Sequence, residues 1–194
     1  MGGVPSPRLL LIRHAESEWN ARGLWQGWGD PPLSARGCEQ AETLARQLGP
    51  QPRFDLLVSS DLCRARQTAE IVGRVLDVTP RDDARLWELS VGRWEARTRR
   101  EIAGFDATGL ERFDAGDPLW RAGGGESARD LARRVRPVIA DYAERFAARR
   151  LAFVLHLGVL RVLLREPGAL EHASCRACGL EALELDPDGP VSLV

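Results

Sequence analysis

Three short, unbroken apolar runs, Leu9–Ile12, Leu56–Val58 and Leu151–Leu155, constrain this chain most. Each stops abruptly at polar residues and is followed, at once or after a loop, by a helical pattern. Such runs are too short for a core helix and lack the alternation of a half-exposed strand, so they read as strands buried on both faces. Parallel strands of that kind need covering helices and a crossover between neighbours. The expected fold class is α/β: a three-layer α/β/α sandwich around a mostly parallel sheet.

The helices between the runs carry start and stop signals. Ser34 caps one with Ala41, Leu44, Ala45 and Leu48 at helical spacing, stopped by Gly49-Pro50. Asp61 is placed to cap a second, with Ala65, Thr68, Ala69, Val72 and Val75 on one face. Ser127 and Asp130 form a capping-box pattern that opens the longest, which Pro137 should bend. Gly158 to Leu164 begins another, and Val78 to Pro80 suggests a short strand. The turn Asp186-Pro187-Asp188-Gly189 precedes a last strand, Pro190 to Val194, and this hairpin is expected to add an antiparallel edge strand. Residues 86–125 are rich in Trp and Arg, with short helical pieces at most, and 93–125 are expected to form a lid-like insertion. Residues 1–194 are expected to be one domain, with 1–7 a flexible lead-in.

Composition narrows the partners. A formal net charge of -1 gives no global pull towards nucleic acid or anionic membrane, so neither is expected. All 27 basic residues are Arg, so any anion site must use guanidinium, and lysine Schiff-base chemistry is excluded. No apolar run reaches membrane-spanning length and no signal peptide is evident, so a cytoplasmic location is expected. Four scattered cysteines do not make a disulfide scaffold. His172, Cys175 and Cys178 are spaced three apart, but three ligands without a second cysteine pair predict no zinc site. Cys63, next to Arg64, is a candidate for a lowered thiol pKa. The oligomeric state is not encoded legibly; a homodimer is compatible.

Chemistry gathers where the runs stop. In parallel sheets ligands bind beyond the carboxyl ends of the strands. The first run ends in Arg13-His14, the second in Ser59-Ser60-Asp61 with Arg64 a turn later, and a third in His156. If those strands are neighbours, two imidazoles and two guanidiniums face one crevice suited to a tetrahedral anion. A neutral histidine can displace an alcohol from phosphorus, and arginines offset the charge on the equatorial oxygens. Glu88, in Leu86-Trp87-Glu88-Leu89 after a strand-like stretch, is the candidate proton donor. No cofactor or metal is required. Arg66 is expected to pair with an acidic neighbour rather than touch substrate.

These segments resemble the histidine phosphatase superfamily, the branch with cofactor-dependent phosphoglycerate mutases and small phosphomonoesterases such as alpha-ribazole phosphatase. The resemblance rests on Arg13-His14-Ala15-Glu16-Ser17-Glu18-Trp19-Asn20, Gln26-Gly27-Trp28, Pro32-Leu33-Ser34 and Gly37. It rests also on Ser59 to Ala69, on Glu88 with Gly92-Arg93-Trp94-Glu95, and on Gly124-Gly125-Glu126-Ser127. It implies His14 as nucleophile, Arg13, Arg64 and His156 around the phosphate, and Glu88 as proton donor. Asn20 and Gln26 would be ancillary donors, with the backbone amide of Leu157 facing the phosphate. The expected activity is hydrolysis of a small-molecule phosphate monoester. A phosphoglycerate mutase, or a weakly active or non-catalytic phosphate-ligand-binding protein, are the alternatives. One departure is Leu155-His156-Leu157-Gly158, where the family has a small residue before the histidine and Gly-Gly after it; Leu157 is expected to crowd the pocket.

All six tryptophans fall in segments assigned to the mouth of the crevice. Trp19, Trp28 and Trp94 are expected to pack the loops. Trp25, Trp87 and Trp120 are candidates for presenting a ring face to substrate.

Overall fold

The computed structural model describes residues 8–50, 53–147, 149–165, 173–177, 183–184 and 192–193. The apolar runs form β1 (Arg8–Arg13), β2 (Leu56–Ser59) and β4 (Arg150–Leu155), joined by β3 (Pro80–Asp82) and β5 (Ala173–Ala177). The sheet order is β3-β2-β4-β1-β5, and every ladder in it is parallel. Among the described residues the sheet has no antiparallel edge strand, contrary to expectation. The edge beside β1 is the parallel β5, and the antiparallel pair β6 (Leu183–Glu184) and β7 (Ser192–Leu193) forms its own two-stranded sheet. Position in a sheet is set by where the crossover lands, which a turn motif alone does not reveal.

The helices are α1 (Glu18–Ala21), α2 (Ala35–Leu48), α3 (Cys63–Leu76), α4 (Arg99–Asp114), α5 (Ala128–Arg145) and α6 (Leu157–Leu164). They cover both faces of the sheet, as a three-layer sandwich requires. Leu10, Ile12, Leu57, Ala152 and Val154 bury one face against α2 and α3. Leu9, Leu11, Leu56, Val58, Leu151, Phe153 and Leu155 bury the other against α5, α6 and the segment from Leu86 to Leu110. Alternate residues of each run thus serve opposite cores. Each fully buried aliphatic side chain contributes about 1.5–3 kcal/mol.

Ser34 caps α2 by accepting from Gly37 N–H, and Ser127 with Asp130 forms the capping box of α5, which runs through Pro137. Asp61 does not cap α3. The cap position is Leu62, which makes no side-chain bond, and the Asp61 carboxylate accepts the Trp87 indole N–H instead. Residues 86–125 are more ordered than their composition suggests. They contain α4, a 16-residue helix opened by a Thr98–Glu101 capping box and broken at Asp106. The Asp106 carboxylate accepts from Arg93 and from the Trp94 indole at 2.8 Å, tying α4 to the Gly92–Trp94 turn. His172 and Cys178, the lead-in 1–7 and the turn 186–189 lie outside the described residues, as does the Cys175 side chain.

Candidate active site

Because β2, β4 and β1 are adjacent, their carboxyl ends meet. His14 N–H donates to the Leu155 carbonyl at 2.9 Å, and Ser60 N–H donates to the Val154 carbonyl at 3.1 Å. These bonds extend the ladders one residue past the strands and bring His14, His156 and the start of α3 to one place. The His14 and His156 rings lie 5.1 Å apart between centroids, tilted by 59°. Both residues are buried.

The His14 tautomer follows from its contacts. Nδ1 lies 2.7 Å from the Ala15 carbonyl oxygen, which can only accept. Nδ1 therefore carries the proton, and Nε2 keeps its lone pair. Burial above all, then the positive charges of Arg64 and Arg13, push the His14 pKa well below 6.5. The next residue is anchored by α3: Ala15 N–H donates to Thr68 Oγ1 at 3.1 Å, and Thr68 Oγ1 donates to the Arg64 carbonyl at 2.7 Å. Thr68 reads in the sequence only as one more residue on the helix face.

His156 follows β4 directly, and neither of its ring nitrogens has a hydrogen-bond partner. Buried polar atoms without partners are rare, and these two sit among cations. Burial, Arg64, His14, Arg134 and Arg13, in that order, hold the His156 pKa well below 6.5.

Arg64 is fully buried on the second residue of α3. Its terminal nitrogens donate to the Gly29 carbonyl at 2.7 Å and the Gly27 carbonyl at 3.0 Å, while Nε makes no bond. Burial lowers its pKa, and Glu88, Asp30 and Glu95 oppose that shift. Arg13 is half-buried at the end of β1, and its charge reaches both imidazoles. Arg66 pairs with Glu70 at 3.8 Å, an acidic neighbour as expected.

Glu88 follows a single 3-10 turn, Ala84–Leu86, rather than a strand. Its Oε1 accepts from Leu89 N–H at 2.7 Å and its Oε2 from Gly158 N–H at 3.0 Å, so the carboxylate closes the N-terminus of α6. Gly158 is required there, since a Cβ would lie 2.3 Å from Glu88 Oε1. Leu157 holds the first helical position, where an amide has no intrahelical acceptor. Its side chain, partly buried, packs against the core cluster on the α5 and α6 face.

Asn20 and Gln26 gather on Ser17. Asn20 Oδ1 accepts from Ser17 N–H at 3.1 Å, and Gln26 Oε1 accepts from Ser17 Oγ at 2.7 Å. With both amide oxygens occupied, the NH2 groups are what these side chains have left to offer.

The tryptophans divide differently from expectation. Trp25, partly buried, packs edge-on to Trp94 at 5.1 Å and Phe113 at 5.0 Å, against the core cluster. Trp28, expected to pack, is 43% exposed. It meets Trp87 edge-on at 5.3 Å and donates its indole N–H to the Glu88 carbonyl at 2.9 Å. Trp120 lies under the Arg112 guanidinium at 4.5 Å. Burial raises the Cys63 thiol pKa, with the Asp30 charge adding to it, so the expected lowering by Arg64 does not occur. Among the described residues, no group of three or more His, Cys, Asp or Glu could hold a metal ion, and no helix is long and apolar enough to cross a membrane.

Known proteins share this framework. The profile of the histidine phosphatase superfamily (branch 1) matches residues 9–194. A glucosyl-3-phosphoglycerate phosphatase of Mycobacterium tuberculosis is 38% identical over 134 residues, 69% of this chain and 59% of that protein. The adenosylcobalamin/alpha-ribazole phosphatase of Salmonella typhimurium is 36% identical over 160 residues, 81% of this chain and 77% of the relative. A solved mycobacterial glucosyl-3-phosphoglycerate phosphatase in complex with VO3 superposes with a TM-score of 0.76 at 34% identity, covering 84% of this chain and 83% of that one. With the adjacent strand ends carrying Arg13-His14 and His156, these likenesses place the chain in the histidine phosphatase superfamily, branch 1.

Proposed function

We propose that this protein hydrolyses a small-molecule phosphate monoester through a phosphohistidine on His14. The observation that carries the reading is the His14 imidazole itself. It is buried, has its proton fixed on Nδ1 by the Ala15 carbonyl, and is kept neutral by burial and two guanidiniums. A free Nε2 lone pair under the influence of two guanidiniums is what attack on phosphorus needs. Named phosphatases among the relatives support the same activity.

In the first step Nε2 of His14 bonds to phosphorus and the bond to the ester oxygen breaks. Glu88 is the general acid and gives a proton to the departing alkoxide. In the second step water attacks phosphorus and the P–N bond breaks, returning its electron pair to Nε2. Glu88 takes the proton from that water, and inorganic phosphate leaves. Arg13 and Arg64 offset charge on the equatorial oxygens, and His156 offers a ring N–H to one of them. Asn20, Gln26 and the Leu157 amide are the ancillary donors. Protein cations supply the positive charge, so the reaction is metal-independent.

The test is release of phosphate from a panel of sugar, nucleotide and glycolytic monoesters, together with acid-labile labelling of the protein. Native protein should turn over at least one ester and trap label on His14. His14→Ala should lose both, the rate falling at least about a thousandfold because the covalent route is gone. EDTA should leave the rate unchanged. Turnover that survives in His14→Ala, or that EDTA abolishes and metal restores, overturns the mechanism. Isomerisation primed by a bisphosphoglycerate, without net hydrolysis, would identify a mutase instead.

A further inference from the structure

Arg134 divides its donors between the Glu126 carboxylate and the segment that carries Glu88. A guanidinium has five N–H groups. Nε donates to Glu126 Oε1 at 3.1 Å and one terminal nitrogen to Glu126 Oε2 at 2.8 Å. The remaining bonds go to three carbonyls: Arg85 at 3.0 Å, Trp87 at 2.9 Å and Glu88 at 3.1 Å. Glu126, from the other side of this fork, accepts Ser90 N–H at 3.1 Å, and its own N–H donates to the Ser90 carbonyl at 2.9 Å. The Glu88 carbonyl takes a second bond from the Trp28 indole. Both residues of the pair are largely buried, at 24% and 18% side-chain exposure, so little solvent competes for these bonds.

We infer that the Arg134–Glu126 pair is the positioning device for the proton donor: it fixes the backbone from Arg85 to Ser90 so that the Glu88 carboxylate stays at the head of α6. The inference rests on the proposed role of Glu88 for its kinetic consequence, but its structural part stands on the hydrogen bonds alone. Neither residue touches the reacting atoms. A general acid contributes only when its proton lies within hydrogen-bond reach of the leaving oxygen, so small drifts of this backbone act directly on its efficiency. Lysine could keep the charge at position 134 but has three donors on a point charge, which cannot form this planar fork.

The test compares native protein with Arg134→Lys, Arg134→Gln and Glu126→Gln. Kinetics are measured on p-nitrophenyl phosphate, whose leaving group needs little acid, and on an alkyl phosphate, whose leaving group needs much. The ratio of alkyl to aryl kcat/KM should fall at least about tenfold in each variant, Lys included, which is part of the range a general acid supplies. Amide exchange gives a readout that does not depend on turnover: the Leu89 and Gly158 N–H groups, held by the Glu88 carboxylate, should exchange faster while those of β4 do not. An unchanged ratio with unchanged exchange at Leu89 and Gly158 overturns the inference, and so does full rescue by lysine. If one Arg134 variant fails to fold, Glu126→Gln carries the same measurements. Absence of His14-dependent hydrolysis in the native protein defeats the proposed function, while the exchange data still decide the positioning role.

Discussion

His14 and His156 sit at the carboxyl ends of two hydrogen-bonded parallel strands, their rings 5.1 Å apart and both buried. Burial and the same guanidiniums drive both imidazoles towards the neutral form. The sheet register thus does two things at once. It brings the two rings together, and it places them where a proton on either would be opposed by Arg64 and Arg13.

A stability consequence follows from that neutrality. The folded protein keeps both imidazoles unprotonated below pH 6.5, whereas the unfolded chain takes up protons there. Stability should therefore fall as pH drops through 6.5, by at most about 1.4 kcal/mol per pH unit for each histidine, until the folded-state values are reached. Urea unfolding at pH 7.5, 6.5 and 5.5 measures it. His156→Gln should show a clearly shallower dependence; an equal slope would mean that His156 protonates in the folded protein.

Gly158→Ala tests the seat of Glu88 from the opposite side. The new methyl group would come within 2.3 Å of Glu88 Oε1, so the carboxylate must leave its place or α6 must shift. Hydrolysis of alkyl phosphates should fall by about a hundredfold, the scale of general acid catalysis, with a smaller loss on p-nitrophenyl phosphate. Equal losses on both esters would show that the substitution acts on phosphate binding rather than on proton donation.

Arg64→Met should weaken both the loop and the phosphate site. The Gly27 and Gly29 carbonyls lose their donors, a cost of about 1–3 kcal/mol where such groups are shielded from water. Removal of the cation should lower kcat/KM by about a hundredfold or more. Inorganic phosphate should raise the melting temperature of the native protein and leave that of the variant unmoved. An undiminished phosphate shift in the variant would remove Arg64 from the site.

Trp25→Leu and Trp87→Leu should separate cleanly. Trp25 fills a three-ring cluster with Trp94 and Phe113, so its loss should lower stability by about 2–4 kcal/mol, as large-to-small core changes do. Trp87 stands next to Glu88, half-buried, against the exposed Trp28. Its replacement should raise KM for esters with bulky or ring-bearing alcohols more than for methyl phosphate. A uniform KM across alcohols would show that Trp87 serves only to hold Asp61.

Several elements were legible because their signals are local. Leu9–Ile12 and Leu151–Leu155 announce buried strands by continuity alone, and Ser34 and Ser127 announce helices by capping chemistry. Helix α4 was not legible, because its apolar positions Ile102 and Leu110 are separated by the non-helical Asp106, which breaks the 3.6-residue period. Cap positions were half legible: Asp61 has the right chemistry, but an indole from a distant turn claimed its carboxylate.

From sequence alone came a parallel α/β sandwich and the residues that could handle phosphate, since continuity, periodicity and the chemistry at strand ends are properties of neighbouring residues. Tertiary structure alone decided that β5 rather than the final hairpin edges the sheet, that Trp25 packs against the core while Trp28 reaches the surface, and that Arg134 bonds the Glu88 carbonyl. The physical reason is the same in each case. The partners are backbone carbonyls, crossovers and ring faces many residues away, and main-chain acceptors look alike at every position until the chain has folded.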